Sequence, residues 1–292
     1  MRRFRLETDD GLSLAGIDYS DPDDTARDRP ALFLLHGGMA HARWFDLLAP
    51  RLLTEFRPFA VDRRGHGDSD WTEPERYGWE RDLDDLGKAL RTIDPGPWVL
   101  AGHSQGGLLA ADLAARGLHP IAGLVLLDVP LHPASPRLRR TGEGFRRVPQ
   151  IRWSSLDDAV RSFRPFPSPH RVPPEVLEAI GRVSFKPSGD GGWTSKFHWK
   201  VFQRDRTGEP NPLANFAESI RRIEVPTLCL RGAGSTILSR EEHTEMAARL
   251  PHGLAVEIPA TTHNLHAEEP EAVAEAILAF GRTSIEARRR PR

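Results

Sequence analysis

The chain has 292 residues, 39% of them hydrophobic and 28% charged, and a formal net charge of −1 at pH 7. These values suit a globular protein with one large α/β domain plus an insertion, or with two small domains, and they give no electrostatic footprint for nucleic acid. No apolar run approaches the roughly 18 residues that span a membrane, the charged N-terminus Met1-Arg2-Arg3-Phe4-Arg5 lacks the apolar stretch of a secretory leader, and the single Cys229 excludes an internal disulfide.

Apolar strands alternate with helical patterns along the chain, which predicts a mostly parallel sheet flanked by helices. Phe4–Thr8 and Leu12–Tyr19 read as an opening hairpin around Asp10-Gly11. Ala31–Leu35 is a short buried strand followed by His36-Gly37-Gly38, and helical periodicity runs from Arg43 to Glu55. A strand over Arg57–Asp62, the loop Arg63–Trp71 and an amphipathic helix from Trp79 to Thr92 come next. Trp98–Ala101 is a strand, Gln105–Arg116 a Leu- and Ala-rich helix, and Ile121–Asp128 a further strand. After Pro130 the pattern breaks up around Pro133, Pro136, Pro149, Pro165, Pro167, Pro169, Pro173 and Pro174. Regular alternation resumes with a strand over Val225–Arg231, a helix over Ser239–Leu250, a strand over Ala255–Pro259 and a helix over Pro270–Gly281. The expected organisation is a core formed by residues 1–129 and 222–283, an insertion over 130–221 and a basic, disordered tail over 284–292.

Gly102-His103-Ser104-Gln105-Gly106 sits between a strand and a helix and matches Gly-x-Ser-x-Gly, a turn that holds a serine with its hydroxyl exposed. Glycine is demanded at the flanks because neighbouring backbones approach closely there. A serine hydroxyl needs a base to become nucleophilic. His263 follows the strand Ala255–Pro259 at the sheet edge where the elbow also lies, and is preferred to His266 as that base. A developing oxyanion would be bound by the backbone N–H of Gln105 and by that of Gly38 or Met39 in the loop after Ala31–Leu35. His36 reads as a structural loop histidine.

With these segments in hand, the chain resembles the α/β-hydrolase-fold superfamily, in its capped bacterial serine hydrolase form. His36-Gly37-Gly38, Asp62-Arg63-Arg64-Gly65-His66-Gly67-Asp68-Ser69, the elbow and Thr262-His263-Asn264 carry the resemblance in order and spacing. It implies that Arg64–Ser69 is a structural loop, so that His66 and Asp68 are not catalytic, and that the insertion is a cap over the active site. The sequence departs from the family where most members keep the triad acid: Gly232-Ala233-Gly234-Ser235-Thr236-Ile237 contains no carboxylate. Glu241 and Glu242 read as first-turn helix acids, whereas Asp128 ends a strand at the catalytic edge, a place some family members use. Asp128 is therefore the expected acid, with a water-supported dyad or Glu241 as alternatives.

Residues 130–221 hold Phe145, Trp153, Phe163, Phe166, Phe185, Trp193, Phe197, Trp199, Phe202 and Phe216, a density suited to an apolar pocket roof or to the cap's own small core. They also carry 16 Lys or Arg against 9 Asp or Glu. That excess could attract acyl-CoA or an acidic acyl carrier protein, although a solvated arginine face explains it as well.

The leading expectation is a serine hydrolase or acyltransferase acting on an ester, lactone or thioester of a small, largely apolar metabolite, without cofactor or metal, in the cytoplasm. The alternatives are a cofactor-independent oxygenase, a C–C hydrolase or synthase using the His263/Asp128 pair, and a non-catalytic ligand-binding protein.

Overall fold

The computed structural model describes residues 1–20, 29–135, 144, 148–167, 170–189, 191–203 and 211–285. Strands β1 (Arg2–Glu7) and β2 (Ser13–Asp18) form the expected hairpin, with Gly11 at φ +80° in its turn. They are followed by β3 (Ala31–Leu35), β4 (Arg57–Val61), helix α1 (Trp79–Ile93), β5 (Trp98–His103), helix α2 (Gln105–Arg116) and β6 (Ile121–Leu127). Beyond the insertion lie β10 (Thr227–Gly232), a helix over Arg240–Arg249, β11 (Gly253–Ile258) and a helix over Pro270–Phe280. One eight-stranded sheet results, in the order β1-β2-β4-β3-β5-β6-β10-β11, and every pair from β4 to β11 is parallel.

The strand sequences explain why both faces of this sheet are covered. Alternate side chains of a strand point to opposite faces, so a strand buried on both sides reads as continuously apolar. Phe33, Leu35, Leu100, Leu124, Leu126 and Cys229 join one core with α1, α2 and Met246. Their neighbours Leu32, Leu34, Val99, Ala101, Val125, Leu127, Leu228 and Leu230 join a second core with Phe45, Leu52, Val273 and Ile277. Each fully buried Leu contributes about 1.5–3 kcal/mol by removal from water. This is a three-layer α/β/α arrangement.

The segment from Arg43 to Glu55 departs from expectation. It forms two short 3₁₀ turns, Ala42–Phe45 and Ala49–Leu52, in place of one helix. Pro50 lies at the start of the second turn; its missing N–H and ring clash prevent a helix from running through. Phe45, Leu48 and Leu52 are still fully buried, so the apolar periodicity was real although the helix was not.

Between β6 and β10, the described part of the insertion carries a small antiparallel sheet in the order β7 (Arg152–Trp153), β9 (Trp193–Ser195), β8 (Phe185–Pro187), with helices over Leu156–Ser162 and Pro174–Val183. It meets the core through loops at one sheet edge. His41 Nε2 donates to Ser184 Oγ at 2.8 Å, because the Ser184 hydroxyl already donates to the Ile180 carbonyl. His198 N donates to the Gly65 carbonyl at 2.8 Å, and the His198 ring stacks on Trp71 at 4.3 Å. Phe145 lies outside the described residues, as does most of the expected tail; 284 and 285 continue the turn that follows the last helix.

Candidate active site

Ser104 sits between the end of β5 and the first turn of α2, with φ 52° and ψ −120°, a conformation that non-glycine residues rarely adopt. Two glycines make it possible. A Cβ on Gly102 would lie 2.5 Å from the Gly106 backbone, and one on Gly106 would lie 2.3 Å from the Leu35 carbonyl oxygen. The elbow is therefore wedged against β3, and the loop after β3 passes directly over the serine. A Cβ on Gly37 would come within 3.3 Å of Ser104 Cβ. Met39, two residues on, adopts φ 61°. The first N–H groups of α2 have no partner within the helix, which leaves the Gln105 N–H beside the hydroxyl.

Asp128 follows β6, is fully buried and has φ 51°. Its Oδ1 accepts from Gly232 N at 3.0 Å. Its Oδ2 accepts from Ser235 Oγ at 2.6 Å and from His263 Nδ1 at 2.7 Å. Ser235 Oγ in turn accepts from the N–H groups of Ile237 and Leu238, so its own hydrogen is directed at the carboxylate. A carboxylate that receives three donors is an acceptor only. His263 therefore carries its hydrogen on Nδ1, leaving the Nε2 lone pair free to take a proton. The loop after β10, which has no carboxylate of its own, supports Asp128 through Gly232 and Ser235.

The histidine loop is fixed from two sides. Thr262 donates to buried Glu268 through its backbone N–H and its hydroxyl, both at 2.5 Å, and Glu268 also accepts from the backbone of Arg171 in the insertion. His103, the neighbour of Ser104, donates from Nε2 to the His263 carbonyl at 2.9 Å, with the two rings 4.5 Å apart. This brings the histidine loop alongside the elbow. Among the described residues no hydrogen bond joins Ser104 Oγ to His263 Nε2.

The remaining candidates have other surroundings. His266 is buried among Phe45, Trp44 and His103, and burial lowers its pKa to about 3. Glu242 forms a capping box with Ser239, and Glu241 belongs to the same first helical turn, so both serve the helix over Arg240–Arg249. His66 is buried against Phe197, and Asp68 pairs with Lys196 at 2.6 Å. His36 accepts from Arg63 N at Nε2 and donates from Nδ1 to the Gly37 carbonyl, which fixes it as a neutral loop brace. Sequence reasoning missed Glu268 and the contact of Ser235 with Asp128, which lies 107 residues away in the chain; no motif or period links either group to what it holds.

A model of the alpha/beta hydrolase family matches residues 32–276. An esterase of Mycobacterium tuberculosis is 26% identical over 258 residues, 85% of this chain and 81% of that protein. A 3-hydroxybutyrate-oligomer hydrolase of Cupriavidus necator is 27% identical over 277 residues, 91% of this chain and 94% of that protein. Among solved structures, a thioesterase domain from the curacin biosynthetic pathway shares the fold with a TM-score of 0.77 at 20% identity, covering 96% of this chain and 99% of the other. With its doubly covered parallel sheet and strained serine elbow, the chain belongs to the alpha/beta hydrolase family and is a hydrolase.

Proposed function

We propose that this hydrolase cleaves carboxylic esters, lactones or thioesters of small, largely apolar metabolites through an acyl-enzyme on Ser104. The observation that carries the reading is the 2.7 Å bond from His263 Nδ1 to a buried Asp128 carboxylate, beside a serine at φ 52°. In the proposed mechanism Ser104 Oγ attacks the substrate carbonyl carbon and His263 Nε2 takes the hydroxyl proton. Asp128 stabilises the imidazolium and holds its ring orientation. The carbonyl oxygen becomes an oxyanion held by the Gln105 N–H and by that of Gly38 or Met39. Collapse expels the alcohol or thiol, which leaves with the proton from His263. A water then gives its proton to His263 and attacks the acyl carbon, and the acid departs as Ser104 recovers its hydrogen.

The insertion acts in this reading as a cap. Its aromatic residues Phe163 and Phe197 face core loop residues Trp44 and His66 at 6.2 and 4.9 Å, which suits apolar acyl groups. The esterase and oligomer-hydrolase relatives support ester cleavage.

The test is a panel of acyl esters, lactones and acyl thioesters, with labelling by an active-site-directed fluorophosphonate. Wild type should turn over at least one class and be labelled at Ser104, and Ser104→Ala should do neither. Turnover that survives in Ser104→Ala would favour base-only chemistry by His263 and Asp128.

A further inference from the structure

Arg63 immediately precedes the Arg64–Ser69 loop that the family resemblance treats as structural, and its guanidinium reaches the elbow. Its side chain is 2% exposed, and Nη1 donates to Asp82 Oδ2 at 3.1 Å. Nη2 donates to the Gly37 carbonyl at 3.3 Å and to Gln105 Oε1 at 3.0 Å. These two acceptors belong to the two chain segments whose N–H groups would bind the oxyanion. Nη2 also lies 3.4 Å from His66 Nε2, which is an acceptor because His66 Nδ1 bonds the Arg64 carbonyl.

The grip on Gly37 has a geometric consequence. The Gly37 carbonyl accepts from Arg63 Nη2, from His36 Nδ1 at 2.8 Å and from Ala40 N at 3.4 Å. In a planar trans peptide the following N–H points opposite to the carbonyl. Anchoring the Gly37 oxygen on the Arg63 side therefore turns the Gly38 N–H away from it. The same guanidinium holds the side chain of Gln105, whose own N–H is the other donor. A planar fork can hold two acceptors at fixed angles, which an ammonium cannot.

We propose that Arg63 is a positioning residue that aligns the two oxyanion-binding peptides, so that it governs kcat and leaves substrate binding nearly unchanged. The inference rests on the Ser104 hydrolase reading. Preorganised donors act on charge that develops in the transition state, and removal of one donor costs about 10²–10³ in kcat. Misalignment of a retained donor is expected to cost less, about 10–100-fold.

The experiment compares wild type with Arg63→Met, Arg63→Lys and Asp82→Asn on the fastest ester, with melting curves for each. Arg63→Met should lower kcat about 10–100-fold with KM within about threefold, and weaken a boronic acid mimic of the oxyanion in parallel. Arg63→Lys should stay at least about 5-fold impaired, since it keeps charge without the fork. Asp82→Asn, which removes the buried counter-charge and leaves the fork on Gly37 and Gln105, should lower the melting temperature yet keep kcat of the folded protein within about threefold. If Arg63→Lys matches wild type, or Asp82→Asn is as impaired as Arg63→Met, the inference is overturned and Arg63 is structural. Should Arg63→Met fail to fold, the Lys and Asn variants decide. Should wild type prove inactive on every ester, the hydrolase reading falls by itself. A crystal structure of Arg63→Lys then still tests the alignment: a rotated Gly37–Gly38 peptide supports it, and an unmoved one contradicts it.

Discussion

The core and the insertion are built on different physics. In the core, β3, β5, β6 and β10 are apolar on both faces and locked in parallel register, and every candidate catalytic group stands at or just beyond the end of one of these strands or of β11. In the insertion, strands of two or three residues and helices of seven and ten residues meet the core loops through hydrogen bonds, ring contacts, the Lys196–Asp68 ion pair and a small apolar cluster of Val172 and Ile180 with Ala40, Trp44 and Ala267. The four non-glycine residues with positive φ among the described residues, Met39, Ser104, Asp128 and Ala260, all fall in the core, where surrounding packing can hold them. The contrast teaches where precision resides. The long, doubly buried strands carry the candidate catalytic groups, and the insertion is built from much shorter elements.

Substitutions can break that contrast. Ser104→Ala should abolish ester turnover by about 10³-fold or more with the melting temperature preserved, measured by steady-state kinetics and calorimetry. Activity close to wild type would remove the serine from the chemistry. Leu126→Ala, in the centre of the core at 1% exposure, should cost about 2–5 kcal/mol in denaturant unfolding. Phe163→Leu in the insertion, half-buried against Trp44, should cost under about 1.5 kcal/mol and shift the ranking of acyl chains more than it shifts the rate on an acetate ester. If the insertion variant destabilised the protein as much as the core variant, the two layers would not be energetically distinct.

Acid should unmake the core edge first. Burial holds His41 and His266 at pKa values of about 3 and pushes His36, His66 and His103 well below the ordinary histidine value. For each, the unfolded chain binds a proton between the folded pKa and about 6.5 while the folded chain does not. Stability therefore falls as pH drops below about 6.5, by up to about 1.4 kcal/mol per pH unit for each histidine. Asp62 acts in the opposite sense: burial raises its carboxyl to about 6, so the folded state takes up its proton earlier, and between about pH 4 and 6 it offsets one histidine. Urea unfolding at pH 7, 6 and 5 should show a steep net loss; a flat profile would mean that these rings are not buried neutral.

Much of this was legible in the sequence, and unevenly so. Helix α2 begins after Ser104 and ends at Arg116 before Gly117 in the left-handed conformation, as its composition predicts. The strands β3, β4, β5, β6, β10 and β11 fall within about two residues of their expected bounds because apolar runs flanked by loops are a strong signal. The helix expected over Arg43–Glu55 failed at Pro50, where a local rule outweighed periodicity. The small sheet of the insertion escaped notice since two- and three-residue strands carry no period. At the candidate site, Ser104 and His263 could be singled out from chemistry and chain order, and Asp128 with the help of the family resemblance. Ser235, Glu268 and Arg63 could not, because their importance lies in which buried acceptor or donor they meet, and only three dimensions decide that.

The central claim is that a carboxylate at the end of β6 serves the histidine, in place of one after β10. The most direct measurement is kcat/KM of Asp128→Asn on the fastest ester at pH 7, together with its melting temperature. The amide can offer an N–H to Nδ1 and favour the wrong tautomer of His263. The account predicts a loss of about 10²–10⁴-fold in a folded protein; activity within about threefold of wild type would contradict it.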